Sequence, residues 1–341
     1  MKKRRAIGII IFACAVILII RYTQKPVALP LVTLQGTTMG PIPYSVKYLH
    51  PDAKSYQAEV DSVLILFNNV LSTYIEESQI SRFNNENEVE FDNELFYEVL
   101  LKSDEVYTLT EGAFDPTVGP LVNAWGFGPG SEENILDSAS VDSLLLLVGF
   151  DRIRFDQQRA SKPQDEMYLD FSAIAKGYGV DVVADFLESK GIKNYMVEIG
   201  GEVRCKGKSS KQKPWLIGID DPTVDQTSRR LKATVYLENR ALATSGNYRN
   251  FYIKDGRKIS HTISPFTGYP VEHSLLSASV FAPDCMTADA LATGFMVLGF
   301  EKARAIAMDM PEIDAFLIYA DEQGQIQTFA TAGIKNFMNV E

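Results

Sequence analysis

The sequence predicts an α+β fold, because its strand-like and helix-like segments do not alternate strictly. Segments with alternating apolar residues follow one another between residues 203 and 253, which is typical of antiparallel strands. Two more such segments, at 31–35 and 44–48, form a first pair near the start. Helical periodicity appears elsewhere, first at 56–71. We therefore expect mixed and antiparallel sheets with helices packed on them.

The remaining elements follow from the same periodicities. Further helices are expected at 93–110, 141–147, 286–298 and 301–310. Further strands are expected at 152–155, 167–169, 203–206, 215–219, 231–237, 251–253, 276–281, 315–319 and 326–329. Between them, the loop at 111–130 holds five glycines and three prolines interleaved with large apolar residues. A loop of this length and composition predicts an ordered, functional segment.

The first 22 residues predict a membrane-targeting segment. Six basic residues and no acidic one occur within residues 1–25, and an apolar run of fifteen residues covers 6–20. As a helix this run measures about 22 Å, which is short for a bilayer core of roughly 30 Å. We favour an uncleaved anchor over lipidation of Cys14, which stays the alternative. Either way the basic end would remain in the cytoplasm and the folded part would lie outside.

Composition limits the rest of the chain. Residues 23–30 predict a linker, since they carry two prolines and no periodicity, and one large domain would then cover 31–341. At 341 residues and 46% hydrophobic the chain can bury a sizeable core, while its net charge of −11 argues against a nucleic-acid partner. Cysteine is too sparse for a zinc site, and Cys205 and Cys285 could form a disulfide or remain as buried thiols.

The segment 168–202 is the centre of the prediction. A short strand ending at Asp170, a helix capped by Ser172 and a strand at 195–199 lead into Gly200 and Gly201. The helix start favours anions and carries Lys176, so a phosphate could bind there. Asp170 at the same place favours a metal or a polar ligand group instead. These residues alone leave one alternative open, which is an ordinary strand–helix–strand unit that binds no ligand.

A second candidate site lies near the end of the chain. Asp289 and Thr293 are four residues apart on a predicted helix, so a carboxylate and a hydroxyl project from one face. Magnesium prefers such oxygen ligands and fills its other positions with water and substrate phosphate. The alternative is a surface aspartate beside a threonine that bonds its own helix.

Eight motifs together decide between these readings. In chain order they are GTTMG at Gly36, LSTY ending at Tyr74, GAFDPTVGPLVNAWGFG at Gly112, DFSAIAKGYGVD at Asp170, EIGGEVRCKG at Glu198, ATSGNYRNFY at Ala243, HTISPFTGYP at His261 and MTADALAT at Met286. This combination resembles the ApbE-type flavin transferases, the FAD:protein FMN transferases, over residues 36–299. One departure is Ser264, where the family often has an acidic residue.

The resemblance implies a T-fold-like α+β catalytic domain over 31–341. It also implies an activity: FAD is the substrate, AMP is released, and FMN becomes esterified to a serine or threonine of an acceptor protein with magnesium as the cofactor. The acceptor would be a subunit of a membrane redox complex, and the enzyme would sit on the periplasmic side of a bacterial inner membrane. Two rival functions stay open, a FAD pyrophosphatase and a non-catalytic, membrane-tethered flavin-binding protein.

The resemblance also assigns roles to residues of this sequence. It implies FAD contacts from Met39, Tyr74, Ala113, Phe114, Asp115, Asp170, Lys176 and Ile263. It implies metal ligation by the main-chain oxygen of Ala173 together with Asp289 and Thr293. His261 is the implied base or acceptor-positioning residue, whereas we expect His50 and His273 to be structural.

Overall fold

The computed structural model describes residues 29–129, 131–132, 134–224, 230–247, 251–254 and 257–340. Its strands are β1 (Leu31–Thr38), β2 (Ile42–Leu49), β3 (Glu88–Glu90), β4 (Arg154–Phe155), β5 (Arg159–Ser161), β6 (Tyr195–Ile199), β7 (Glu202–Lys206), β8 (Trp215–Asp220), β9 (Leu231–Leu237), β10 (Arg240–Gly246), β11 (Phe251–Lys254), β12 (Arg257–Ser260), β13 (Leu275–Ala282), β14 (Asp314–Ala320), β15 (Ile326–Ala330) and β16 (Met338–Val340). Its α-helices are α1 (Gln57–Leu71), α2 (Gln79–Asn85), α3 (Glu94–Leu109), α4 (Gly119–Ala124), α5 (Ser138–Leu145), α6 (Ala175–Ser189), α7 (Cys285–Leu298), α8 (Phe300–Asp309) and α9 (Ala332–Lys335).

An eight-stranded sheet forms the centre, in the order β1-β2-β6-β7-β10-β13-β14-β15. Every neighbouring pair in it is antiparallel. The other described strands form two three-stranded sheets, in the orders β16-β9-β8 and β3-β5-β4, and the pair β11-β12. The predicted α+β class with antiparallel sheets and packed helices is confirmed.

The two faces of the central sheet carry different layers. Tyr195 and Val197 of β6 pack into a core with helices α1 and α6, whereas Met196 between them packs into a core with β8 and β9. This alternation follows from the two-residue period of a strand. Helices therefore cover one face and the three-stranded sheet covers the other, and the interior of each layer is apolar.

Helices α6 and α7 pack closely against each other where they cross. An aspartate on each helix accepts hydrogen bonds from backbone N–H groups of the other. Asp181 of α6 accepts hydrogen bonds from the backbone N–H groups of Cys285 (3.0 Å) and Met286 (2.8 Å) at the start of α7. Asp289 of α7 accepts one from the N–H of Gly177 at 2.9 Å. A Cβ at Gly177 would lie 2.2 Å from the carbonyl oxygen of Cys285. Only glycine fits there, because backbone cannot yield as a side chain can.

Gly177→Ala is expected to lower the free energy of unfolding by about 1–3 kcal/mol, the usual cost of overpacking a core. The added methyl group also meets the Cβ of Asp289, at 2.7 Å, so that carboxylate should shift. The matched control is Gly179→Ala on the same helix, where the new Cβ meets the flexible end of Met39 at 2.9 Å. Chemical denaturation of both variants tests this, and equal stabilities would contradict it.

Several sequence expectations around α6 are wrong. The helix begins at Ala175, and its N-cap residue Ile174 makes no capping side-chain hydrogen bond. Ser172 does not cap it, because the Ser172 N–H and hydroxyl both donate to Asp170 Oδ1. Residues 167–169 do not form a strand either. The sequence did not predict helices α2, α4 and α9 or strands β3, β5, β10, β12 and β16, while the long helices and most other strands lie within a few residues of their predicted positions.

The predicted anchor at 1–22 lies outside the described residues, as does most of the linker at 23–30. Within the part that the structure describes, no helix combines the length and the apolar character that a membrane crossing requires. Cys205 and Cys285 are both buried and free, so of the two alternatives the buried thiols are present. Burial raises the pKa of both thiols well above the ordinary value.

Candidate active site

One large cavity, of about 1200 Å³, opens where the start of α6, helix α7, the turn after β6 and strand β8 come together. All twelve residues predicted for the site line it, although they come from distant parts of the chain. They are Met39, Tyr74, Ala113, Phe114, Asp115, Asp170, Ala173, Lys176, His261, Ile263, Asp289 and Thr293. The fold thus brings together every position that the sequence motifs singled out.

Three charged side chains form the polar centre of this cavity. Lys176 Nζ lies 3.4 Å from Asp289 Oδ1 and 3.4 Å from Glu202 Oε1. Both carboxylates are buried, with Asp289 and Glu202 each 3% exposed. Within the described part of the chain, Glu202 Oε2 has no hydrogen-bond partner. Two carboxylates share one ammonium group, so the centre holds more negative than positive charge when all three are ionised.

Burial sets the pKa values of this cluster. Burial lowers the pKa of Lys176, but the attraction of Asp289 and Glu202 outweighs that effect and the pKa lies above its ordinary value. Burial also raises the pKa of Glu202, with Lys176 opposing and Asp289 adding to the increase. The pKa of Asp289 is raised by burial as well, against Lys176 and the Gly177 N–H. A further cation close to these carboxylates would offset the cost of burying them.

Met39 and Tyr74 shape one end of the cavity. Met39 occupies the turn between β1 and β2 with a φ of +49°, and Gly40 follows at +81°. This turn directs the Met39 side chain onto α6 at Gly179, where a larger residue would collide with its methyl group. Tyr74 is 73% exposed although it lines the cavity, so its ring stands at the mouth. A flexible thioether and an open aromatic ring suit stacking on a flat ligand ring.

Asp115 anchors the loop that carries Ala113 and Phe114. Its Oδ1 accepts hydrogen bonds from the Thr117 N–H at 2.7 Å and the Thr117 hydroxyl at 2.5 Å, and its Oδ2 accepts one from the Phe150 N–H at 3.3 Å. Burial raises the pKa of Asp115 to about 6, although these hydrogen bonds oppose the rise. Phe114 is almost fully buried, so the loop at 111–130 is ordered here, as predicted.

His261 lies on a loop that is held at both ends. The Val271 N–H donates to the Thr262 carbonyl at 3.0 Å, and the Ser264 N–H donates to the Tyr269 carbonyl at 2.9 Å. Ser264, the departure from the family pattern, is buried and its hydroxyl accepts from two turn N–H groups. It therefore shapes the turn rather than the cavity. His261 lines the cavity, and its ring centroid lies 6.4 Å from that of Phe127.

The other two histidines have local partners. His50 Nδ1 accepts from the Asp52 N–H at 3.1 Å, and His273 Nδ1 accepts from the Leu275 N–H at 3.2 Å. Neither residue lines the cavity. His261 is the one histidine on its wall.

A sequence model described as the ApbE family matches residues 39–317 of this chain. The chain belongs to the ApbE family. A Vibrio cholerae relative named FAD:protein FMN transferase is 40% identical over 334 residues, which cover 96% of this chain and 98% of the relative. A Haemophilus influenzae relative of the same name is 39% identical over 335 residues, which cover 94% of this chain and 95% of the relative. The resemblance read from the eight motifs is confirmed.

Solved ApbE structures share the fold as well. Flavin transferase ApbE from Vibrio cholerae superposes with a TM-score of 0.82 at 39% identity, over 91% of this chain and 99% of that one. The flavinyl transferase ApbE of Pseudomonas stutzeri gives a TM-score of 0.80 at 33% identity, over 91% and 97%. The cavity described above therefore belongs to an ApbE-family fold.

The donor set near Asp289 fits a magnesium ion. Asp289 and Thr293 lie one helical turn apart on α7, and both line the cavity with Ala173. Their atoms are hard oxygens, which are the ligands that magnesium prefers. The described residues contain no cluster of three or more His, Cys, Asp or Glu side chains suited to a metal. A site in this cavity would therefore rely on hydroxyl, carbonyl and substrate oxygens beside one carboxylate.

Sequence reasoning missed Glu202, Asp181 and Gly177 as site residues. Glu202 directly follows the glycine pair where a ligand was expected to approach, which was the available signal. Asp181 and Gly177 act through the contact between α6 and α7, which no local pattern reveals. Gly177 and Asp181 hold α7 against α6, so that Asp289 of α7 lies beside Lys176 near the start of α6.

Proposed function

We propose that this ApbE-family chain transfers FMN from FAD to a serine or threonine hydroxyl of an acceptor protein and releases AMP. It is then an enzyme of the transferase class. The observation that carries the proposal is the single cavity that gathers the twelve predicted residues around Lys176, Asp289 and His261. The names of the curated relatives support the same activity.

The reaction replaces one phosphate bond with another. The acceptor hydroxyl oxygen bonds to the phosphorus on the FMN side of FAD, and the bond from this phosphorus to the bridging oxygen breaks. AMP departs with that oxygen, and the hydroxyl proton passes to His261. Charge on the diphosphate must be balanced throughout, and the Lys176 ammonium lies at the polar centre of the cavity for this purpose.

Magnesium held by Asp289, Thr293 and the Ala173 carbonyl would neutralise diphosphate charge and stabilise the leaving oxygen. The protein residues perform the remaining tasks. Gly177 fixes one Asp289 oxygen through its N–H, so the other oxygen is directed toward the cavity where Lys176 lies. Met39 and Tyr74 would hold the flavin ring at the mouth, with Asp170 nearby, and the loop carrying Ala113, Phe114 and Asp115 would hold the rest of FAD together with Ile263.

The same geometry would hydrolyse FAD if water replaced the acceptor hydroxyl. The test uses solubilised membranes of a host strain from which this gene has been deleted, mixed with the purified chain, FAD and magnesium. Transfer predicts a new flavin-fluorescent protein band that survives a denaturing gel. AMP formation without any labelled band would identify a pyrophosphatase, and FAD binding without AMP would identify a binding protein.

The N-terminus supplies a further proposal about location. The basic and apolar segment at 1–22 would anchor the enzyme in a bacterial inner membrane with its catalytic domain on the periplasmic side. A subunit of a membrane redox complex is the acceptor that such a location favours. Covalent FMN would keep an electron carrier on that subunit outside the cytoplasm.

Removing residues 1–25 is expected to release a soluble domain that still binds FAD, because no site residue lies in that segment. The full-length chain should sediment with membranes and the truncated chain should not. Mass spectrometry of the membrane-bound form separates an uncleaved anchor from a chain that begins at lipidated Cys14. Full-length protein found in the soluble fraction with a new N-terminus beyond Ile20 would contradict the anchor.

A further inference from the structure

Strand β8 forms a wall of the cavity to which no FAD or metal contact has been assigned. Five of its residues, from Leu216 to Asp220, line the cavity. Trp215, Ile217 and Ile219 are buried against the central sheet, whereas Leu216 is 56% exposed and Gly218 is exposed as well. One end of the active site is therefore bounded by a strand whose first four lining residues, from Leu216 to Ile219, are uncharged.

The backbone groups of this strand can be assigned to its two sides. Leu216 pairs with Tyr236 of β9, but the Tyr236 N–H donates to the Phe337 carbonyl at 3.0 Å, on the side of β16. In an antiparallel pair the residues that bond across the ladder alternate with those that do not. Leu216 and Gly218 therefore direct their N–H and C=O groups away from β9.

Those groups lie at an open edge. Among the described residues β8 pairs with β9 alone, at the end of the order β16-β9-β8. The end strands of the central sheet, β1 and β15, contribute none of the described residues that line the cavity. Exposed edges of this kind are templates for an added strand. Here the template lies within the active-site cavity.

The backbone of an acceptor protein needs hydrogen-bond partners when its serine or threonine enters the cavity. Serine and threonine side chains are short, so a hydroxyl that reaches the phosphorus brings its own backbone into the cavity. A helix of about 10–12 Å diameter takes up much more room than an extended segment, which needs only about 4.8 Å beside a neighbouring strand. Its N–H and C=O groups then lose water and require partners. The Leu216 and Gly218 backbone groups are such partners.

We propose that the acceptor segment docks as an extended strand along the free edge of β8, with main-chain hydrogen bonds to Leu216 and Gly218. The proposal rests on the transferase function above and adds how the protein substrate is bound. Recognition through backbone leaves the acceptor sequence free except where side chains contact the cavity. Leu216 supplies an apolar contact for a residue beside the one that is modified.

The first test is Leu216→Pro, which removes an N–H from the open edge without taking a bond from the β8 and β9 ladder. Proline is tolerated at such edge positions. The substrate is a short synthetic peptide that spans the serine or threonine labelled in the membrane experiment. The control is Leu216→Ala, which loses the same side chain but keeps the N–H. Relative to this control, one lost hydrogen bond should raise KM for this peptide about two- to tenfold, with kcat and FAD affinity unchanged.

The second test does not depend on folding of a variant. Peptides methylated at one backbone nitrogen at a time are compared as substrates of the unchanged enzyme. Strand addition predicts weakened binding at every second residue, because alternate N–H groups face β8. Equal KM for Leu216→Pro and Leu216→Ala, with no alternation in the peptide series, would overturn the docking proposal. If no protein is labelled in the membrane experiment, it is instead the transferase function that fails.

Discussion

Asp289→Asn is expected to reduce FMN transfer by about 100-fold or more at limiting magnesium, since a metal ion supplies several kcal/mol of charge stabilisation in such reactions. Asparagine keeps the shape of the side chain, and its oxygen can still accept from the Gly177 N–H. The change removes the one carboxylate proposed to bind the ion directly. Initial rates measured over a range of magnesium concentrations test this.

Thr293→Val is the companion variant, because it removes a neutral ligand one turn along α7. Its loss should be smaller, and added magnesium should restore part of it. FAD affinity measured without metal should change little in either variant, since the expected ring contacts are at Met39 and Tyr74. Normal transfer by Asp289→Asn at limiting magnesium would refute the metal site, as would full activity in the presence of a chelator.

His261→Asn is expected to slow transfer by about two to four powers of ten, the usual contribution of a general acid–base group. Asparagine can still hydrogen-bond within the loop but cannot take a proton near neutral pH. The loop itself is held by backbone bonds at Thr262 and Ser264, so FAD binding should survive. Single-turnover rates with saturating FAD measure the chemical step apart from binding.

His50→Asn is the matched control for this variant. His50 serves a surface turn through its bond to the Asp52 N–H and lies outside the cavity. Its replacement should leave the transfer rate unchanged. A normal rate in the His261 variant would make that histidine structural and assign proton removal to water or another group.

The sequence predicts much of this fold because many elements bury one regular face. Helix α7 was expected at 286–298 and spans Cys285–Leu298, and strand β9 lies where it was expected. Residues 167–169 are as apolar as a strand, yet they run through the core as irregular chain. Serine is a common helix-capping residue, but the Ser172 hydroxyl donates a hydrogen bond to Asp170 instead. Local composition cannot distinguish these outcomes, since tertiary contacts decide them.

The sequence likewise predicted some residues of the candidate active site and missed others. The family resemblance carried by the motifs named twelve residues, and all twelve line the cavity. It did not identify Glu202, whose unpartnered oxygen matters only because Lys176 and Asp289 lie beside it. Nor did it show why Gly177 and Asp181 are needed, because both act across the contact of two helices far apart in sequence. All three residues lie within the quoted motifs, but their roles depend on packing that the sequence does not show.

The most direct test of the central claim measures two products in one reaction. The chain without residues 1–25, FAD, magnesium and the identified acceptor are incubated together, and AMP and protein-bound flavin are quantified over time. The cavity described here predicts that the two rise at the same rate and in equal amounts, with the flavin on a serine or threonine of the acceptor. AMP that accumulates in the presence of acceptor while protein-bound flavin stays at background would contradict it.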